Sequence, residues 1–354
     1  MSKIQVAVLG ATGMIGQRFV QLLEDHPNFE IGGLYASERS EGKKFREVIR
    51  VKDVQFQEET LDRKIEQLDS KAIATRCRAA FSGLPTDIAK DTESSLADAG
   101  VAVFSNAASH RMRHDVPLLI PEVNPEHLML ITAQKTYAHG GYIVTNANCS
   151  TTGLALPLKP LYEELGIKFC CVSTYQAVSG AGYPGVPSLD ILGNIVPHIR
   201  GEEEKMEQEI FKMLGRLTYE GVKDAEFDMV ASCARVPVVD GHTESVAMVT
   251  EKPASVEEVI KILRNWRPEP QKLELPTAPK HPIIVRMEED RPQPLCDAWA
   301  GEPYRARGMA ASVGRVRLSG KYLKFWLLSH NTIRGGAGGS VLNAELAFAK
   351  NLLR

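Results

Sequence analysis

Hydrophobic and polar positions follow two different rhythms along the chain, and the change falls near residue 150. Before it, short apolar runs rich in β-branched residues are separated by stretches of helical periodicity. Ile4 to Leu9 is such a run, short enough to be a strand buried on both faces. Gly10-Ala11-Thr12-Gly13-Met14-Ile15-Gly16 follows it, and Phe19, Val20, Leu22 and Leu23 then recur at helical spacing until Pro27 ends the helix. Phe29 to Tyr35 reads as the second strand, and Ala79 to Ser82, Val101 to Ser105 and Tyr142 to Thr145 as further ones, with a helix predicted over Asp87 to Ala99. Strands alternating with helices predict a parallel, doubly wound sheet.

Beyond residue 150 the runs lengthen. A helix is predicted from Ser150 to Leu165, and strands over Phe169 to Ala177, Met229 to Val239, Ser245 to Glu251, Val313 to Leu318 and Tyr322 to Ser329. Long alternating strands suit a more antiparallel sheet, with one face buried and the other covered by helices or a partner subunit. Val256 to Trp266 is amphipathic and fits such a covering helix. Arg267 to Arg307, rich in proline and charge, reads as a long loop or arm, and Gly338 to Leu353 as a final helix.

Composition narrows the class. A chain of 354 residues is long enough for two cores. Its 42 basic and 44 acidic residues leave a net charge of −2, without the broad positive footprint that a nucleic-acid partner requires. Six cysteines without a CxxC pair argue against a disulfide scaffold or a zinc ribbon, and no metal is expected. The opening residues lack the apolar stretch of a signal peptide, and no 18-residue apolar run occurs, so a cytoplasmic protein with no membrane partner is expected.

Glycines at 10, 13 and 16, between a strand and a helix, form a GxxGxxG variant of the dinucleotide-binding turn. Glycine permits positive φ and close backbone approach, and the helix start offers free N–H groups to a phosphate. A tight turn without ligand is the alternative. At the end of the second strand, where an NAD-binding chain commonly carries an acid for the ribose, stands Ala36-Ser37-Glu38-Arg39-Ser40. Two hydroxyls and a guanidinium there favour the 2′-phosphate of NADP, with Glu38 directed outward.

Cys149 lies between a strand end and a helix start, preceded by Asn146 and Asn148 and followed by Ser150, Thr151 and Thr152 as candidate caps. That position exposes the sulfur at the carboxyl edge of the sheet and near the positive end of a helix, which favours the thiolate. Cys170, Cys171 and Cys233 read as small buried strand residues, while Cys77 and Cys296 have no supporting context. Among nine histidines, His242 stands out after the Asp240-Gly241 turn; His330 is a weaker rival and the others read as surface residues. Arg235, at the head of Val236-Pro237-Val238-Val239, suits a carboxylate clamp. Gln176 to Gly182 could bring amide groups to a ligand, and Gly201-Glu202-Glu203-Glu204-Lys205 reads most simply as a solvated acidic helix start.

Together these residues resemble the archaeal and fungal branch of the aspartate-β-semialdehyde dehydrogenase family. The resemblance runs through VLGATGMIGQRF (8–19), ASERS (36–40), SNAASHRM (105–112), VPLLIPEVN (116–124), NANCSTTG (146–153), QAVSGAGYPGVPS (176–188), EEEKM (202–206), RVPVVDGHTES (235–245) and HNTIRGGAGGSVLNAE (330–345). It implies an α/β chain: a Rossmann-type NADP-binding domain formed by 1–148 plus 332–354, with an inserted α+β catalytic and dimerisation domain, 149–331, built on a mixed sheet. It also implies reversible, phosphate-dependent oxidation of L-aspartate 4-semialdehyde by NADP to L-4-aspartyl phosphate, on the route to lysine, threonine and methionine. On the resemblance, Cys149 is the nucleophile, His242 the acid–base residue and Gln176 orients the substrate. Arg235 holds the α-carboxylate and Glu202, with Glu203 and Glu204 as alternatives, the amino group. Lys205 and Arg111 meet the phosphate. The cofactor falls to Gly10, Thr12, Gly13, Met14, Ile15, Ser37, Arg39, Ser40, Gly180 and Asn331. A homodimer or homotetramer is expected. Ala147 stands where the family usually has proline. Two other readings are an acyl-CoA reductase of the malonyl-CoA reductase kind on the same scaffold, which would need no phosphate, and a non-catalytic NADP sensor, which would leave Cys149, Gln176, Arg235 and His242 without a purpose.

Overall fold

Strand β1 (Ile4–Leu9) passes into helix α1 (Met14–Leu23) through Gly10, whose φ is +74°. A Cβ on Gly16 would stand 2.0 Å from the Gly10 carbonyl oxygen, so the helix can start this close to the strand only with glycine at both places. This turn opens the first of two compact units in the computed structural model, which describes residues 3–353. The first unit takes in residues up to 119, 125–147 and those from 336 onward; the second comprises 120–124 and 148–335. The boundaries expected from sequence, 1–148 plus 332–354 against 149–331, differ from these in the short 120–124 segment and by a few residues at each crossover.

In the first unit, β1 is joined by β2 (Phe29–Ala36), β3 (Ile65–Gln67), β4 (Ala79–Ser82), β5 (Ala102–Ser105) and β6 (Tyr142–Thr145) in the order β3-β2-β1-β4-β5-β6, every pair parallel. The doubly wound sheet expected from the alternation is therefore present, with β3 added. All four residues of β4, β5 and β6 are buried, as continuous apolar runs demand of a sheet covered on both faces. Helices α2 (Glu58–Asp62), α3 (Ser70–Arg76) and α4 (Thr86–Asp98) belong to the crossovers, and the C-terminal helix, Gly338–Ala349, packs on α1 and β5. Phe19, Phe29, Phe81 and Phe104 meet ring to ring in the core.

The second unit begins with α5 (Cys149–Leu165), which keeps its course past Pro157 and Pro160 because Leu154, Leu158 and Leu161 are fully buried along it. After it come β7 (Ile167–Gln176), α6 (Ser188–Ile191), α7 (Glu202–Leu214), the small hairpin β8 (Arg216–Thr218) with β9 (Gly221–Lys223), β10 (Asp228–Arg235), β11 (His242–Thr250) and α8 (Val256–Asn265). Then follow α9 (Glu269–Lys272), β12 (Ile283–Arg286), α10 (Pro294–Asp297), β13 (Ala311–Ser319) and β14 (Tyr322–Ser329). The large sheet runs β10-β7-β11-β14-β13-β12 and is mixed: the outer pairs β10·β7 and β12·β13 are parallel and the inner pairs antiparallel.

Four expectations need correction. The strand expected to reach Val239 stops at Arg235, because the chain turns at Val236-Pro237 and Val238 donates back to the Val236 carbonyl. The segment 267–307 is not a structureless arm: Ile283-Ile284-Val285 adds β12 to the sheet, and Asp297 is gripped by Arg286 and Arg291. Histidines 26, 110 and 127 are buried, not superficial; His26 faces Glu345 and accepts the main-chain amides of Asn28 and Phe29. Cys171 is half-buried, because its side chain lies on the other face of β7 from buried Cys170.

Candidate active site

The site is built in the second unit from the first turn of α5, three neighbouring strand ends and α7. Asn148 is the N-cap of α5: its side-chain oxygen accepts from the Ser150 and Thr151 amides at 3.0 and 3.2 Å. The cap is thus Asn148 and not one of the hydroxyls that follow. Cys149 occupies the first helical position, where uncompensated N–H groups and the helix dipole stabilise a negative sulfur. A Cβ on Gly335 would lie 2.6 Å from that of Cys149, so the chain passes over the nucleophile with no room for a side chain.

His242 opens β11 and is fully buried. Its Nε2 lies 3.1 Å from Cys149 Sγ, and its Nδ1 accepts from the Ala177 amide at 3.1 Å. Burial, with Arg235 and His330 adding to it, pushes its pKa down to about 3. Arg235, the last residue of β10, is also buried and donates to the Ala177 carbonyl at 2.8 Å. Gly180 closes over both side chains: a Cβ there would stand 2.8 Å from Arg235 Nη1 and 3.1 Å from His242 Cε1. Asn331 holds this cover, accepting from the Gly241 amide at 2.9 Å and donating to Ser179 Oγ at 2.8 Å.

Glu202, the first residue of α7, gathers the remaining polar groups. Asn148 Nδ2 donates to its two oxygens at 3.0 and 2.8 Å, Gln176 Nε2 at 3.3 Å and Lys205 Nζ at 3.3 Å. Of the three adjacent acids, Glu202 alone is buried; Glu203 accepts the Cys233 amide and Glu204 is exposed. Within the unit, Cys149, Gln176, Glu202, Lys205, Arg235 and His242 therefore form one cluster.

Arg111 belongs to the first unit, buried and donating to the Asn106 carbonyl at 2.8 Å. Near it Glu93 accepts from Ser105 Oγ, and burial raises its pKa to about 7 against the opposing effect of Arg111. The glycine turn lies in the same unit. No side chain caps the N-terminus of α1 at Gly13, which leaves its first amides for an anion. Ser37 and Arg39 are exposed at the end of β2, while Glu38 accepts from Gln67 Nε2 and so points away. These residues fit a dinucleotide that carries a 2′-phosphate.

Two further groups have no counterpart in the sequence reading. Glu209 accepts the Asn148 amide at 2.6 Å and so steadies the turn before the nucleophile. It falls seven residues after Glu202 on the same buried face of α7, and that spacing was its available signal. Glu244, two residues beyond His242, is wholly buried with neither oxygen hydrogen-bonded, and its pKa is held well above the ordinary carboxylate value by burial alone. Among the described residues no cluster of His, Cys, Asp and Glu could hold a metal ion, and no helix is long and apolar enough to cross a membrane.

Comparison with known proteins agrees with this geometry. Residues 5–131 match the semialdehyde dehydrogenase NAD-binding domain, and residues 158–334 the semialdehyde dehydrogenase dimerisation domain. The chain is 46% identical to the aspartate-semialdehyde dehydrogenase of Archaeoglobus fulgidus, over 99% of this chain and all of that one. It is 48% identical to that of Methanothermobacter thermautotrophicus, over 97% and 98%. The crystal structure of the Candida albicans aspartate-semialdehyde dehydrogenase with NADP superposes with a TM-score of 0.89 at 42% identity, covering 99% of each chain. With both domain models matched in order and identity of this level across its length, the chain belongs to the aspartate-semialdehyde dehydrogenase family.

Proposed function

We propose that the chain interconverts L-aspartate 4-semialdehyde and L-4-aspartyl phosphate, with NADP and inorganic phosphate, through a thioester on Cys149. The observation that carries this reading is the cluster itself: a helix-start cysteine 3.1 Å from a buried imidazole, flanked by one buried guanidinium and one buried carboxylate. Opposite charges fixed near one nucleophile suit a substrate that bears an α-carboxylate and an α-amino group beside its reacting carbonyl. Arg235 binds the carboxylate, Glu202 the amino group, and Gln176 orients the substrate between them. Lys205 and Arg111 are assigned to the phosphate. The α1 turn (Gly10, Thr12, Gly13, Met14, Ile15) holds the diphosphate of NADP, with Ser37, Arg39 and Ser40 at its 2′-phosphate and Gly180 and Asn331 completing the contacts. When bound, the cofactor supplies the hydride acceptor, or the donor in the biosynthetic direction towards lysine, threonine and methionine.

Cys149 attacks the aldehyde carbon, and the acyl group then rests on sulfur until phosphate displaces it. The buried carboxylate and guanidinium favour an amino-acid substrate over an acyl-CoA. The dimerisation domain makes the protein a homo-oligomer; a homodimer or a pair of dimers is the form proposed, in the cytoplasm. The test is cofactor reduction by purified protein. NADP should be reduced only when aspartate semialdehyde and phosphate are both present. Equal rates without phosphate would reject the mechanism in favour of a different acyl acceptor.

A further inference from the structure

Asn106, the first residue after β5, is held on three sides within the first unit. Its main-chain N–H donates to the Ser82 carbonyl at 3.0 Å and its Nδ2 to Ser340 Oγ at 3.0 Å, while its Oδ1 accepts from Asn146 Nδ2 at 3.2 Å. These contacts fix the residue but leave one thing unset, the tilt of the peptide plane that joins it to Ala107. That unit is planar and trans, so its C=O and N–H point in opposite directions, and holding one aims the other. The C=O accepts from Arg111 Nη2 at 2.8 Å, and the N–H donates to Ser105 Oγ at 3.0 Å.

The Ser105 hydroxyl therefore sets the plane, and it is itself steered from α4. Its oxygen already accepts the Ala107 amide, so its single proton must be donated elsewhere. That proton goes to Glu93 Oε1, 2.7 Å away. Both side chains are wholly buried, so no solvent can stand in for the carboxyl. A carboxyl protonated on its other oxygen still leaves Oε1 able to accept, and the link survives in either charge state. At the far end of the same loop, Ser109 Oγ donates to the Thr86 carbonyl at the start of α4, at 2.7 Å.

We propose that Glu93 is a positioning residue for phosphate capture, aiming the Arg111 guanidinium through Ser105 and the Asn106–Ala107 peptide. This rests on the assignment of Arg111 to the phosphate. Without an acceptor at position 93 the Ser105 hydroxyl turns towards another partner, and its lone pair leaves the Ala107 N–H. The peptide plane is then free to rotate, and the Asn106 carbonyl no longer meets Arg111 Nη2. A guanidinium without a preset direction binds phosphate more weakly, because its fork must be ordered at each encounter. None of the groups assigned to the substrate carboxylate, its amino group or the cofactor takes part in this chain of contacts.

Steady-state kinetics in the phosphate-consuming direction test it, with phosphate, semialdehyde and NADP varied in turn. E93M, which removes the acceptor without opening a cavity, should raise the phosphate KM about tenfold, as expected for one misaligned charge-assisted contact. S105A should do the same, and the double variant should be no worse than either single, because both cut one path. E93Q keeps a carbonyl oxygen for the hydroxyl, so its phosphate KM should stay within about twofold of the parent. In all four, the KM values for semialdehyde and NADP, and kcat at saturating phosphate, should move by less than about threefold. An unchanged phosphate KM in S105A, E93Q as poor as E93M, or an equal loss in every parameter would overturn the role. If E93M does not fold, S105A against S105T, which retains a hydroxyl, decides alone. R111L separates the two layers. A parental phosphate KM there would remove Arg111 from the phosphate and this inference with it, whereas a raised one beside parental values in E93M and S105A would sink only the positioning.

Discussion

Replacing Cys149 by alanine is expected to lower turnover by at least about 10⁵-fold while NADP affinity stays within about twofold. Alanine keeps the Cβ, so the close passage of Gly335 and the start of α5 are undisturbed. The Asn148 cap and its bonds to Glu202 and Glu209 are unaffected as well. What disappears is the one atom that can carry the acyl group between oxidation and transfer to phosphate. Serine should fare no better, because its hydroxyl is a far weaker nucleophile than a thiolate. Cofactor reduction and fluorescence titration of NADP measure the two quantities. Residual activity of one per cent or more in either variant would remove Cys149 as nucleophile.

The second large effect concerns stability and lies away from the chemistry. Arg334 and Glu122, both fully buried, form a bidentate pair with Nη1–Oε1 at 2.8 Å and Nη2–Oε2 at 2.6 Å. Glu122 sits in the five-residue segment that joins the second unit from outside its main run of sequence, and Asn124 braces it by accepting the Ile120 amide. Removing one partner strands a charge where water cannot reach it. Glu122→Ala or Arg334→Ala should therefore cost about 3–5 kcal/mol, against the 0–1 kcal/mol of an exposed pair. Thermal unfolding should show the midpoint falling by several degrees in each single variant. A Glu122→Met, Arg334→Met double variant should recover much of the loss, since it leaves no unpaired charge. Singles that unfold at the parent midpoint would show that solvent or another group compensates the charge.

How much of this could be read from sequence depended on the length scale of each signal. The parallel sheet was legible because β4, β5 and β6 are fully buried, and β1 from Val6 onward, which forces unbroken apolar runs bounded by turns. Cys149 was legible because its strand–turn–helix setting is local. Strand β3 spans three residues, too few for a period to establish itself, and β12 lies in a segment whose prolines and charges dominate any local count. The choice among Glu202, Glu203 and Glu204 needed the orientation of α7 against β10, which is tertiary information. So did the burial of His26, whose partner is 319 positions away. The role of Asn148 was missed: the cap was expected among Ser150, Thr151 and Thr152, and the grip of Asn148 on Glu202 depends on a helix more than fifty residues further along.

Glu244 gives the protein a stability that falls as pH rises from the acid side. Its side chain keeps its proton in the folded chain at pH values where the unfolded chain has released it. Stability from this group is therefore complete below the unfolded carboxyl value of about 4.3 and drains away above it, by up to about 1.4 kcal/mol per pH unit until the folded value is reached. Glu244→Gln, which has no proton to lose, should flatten that decline. Parallel pH–melting curves for the two proteins would expose any failure of the expectation, because they would simply keep the same slope above the unfolded carboxyl value of about 4.3.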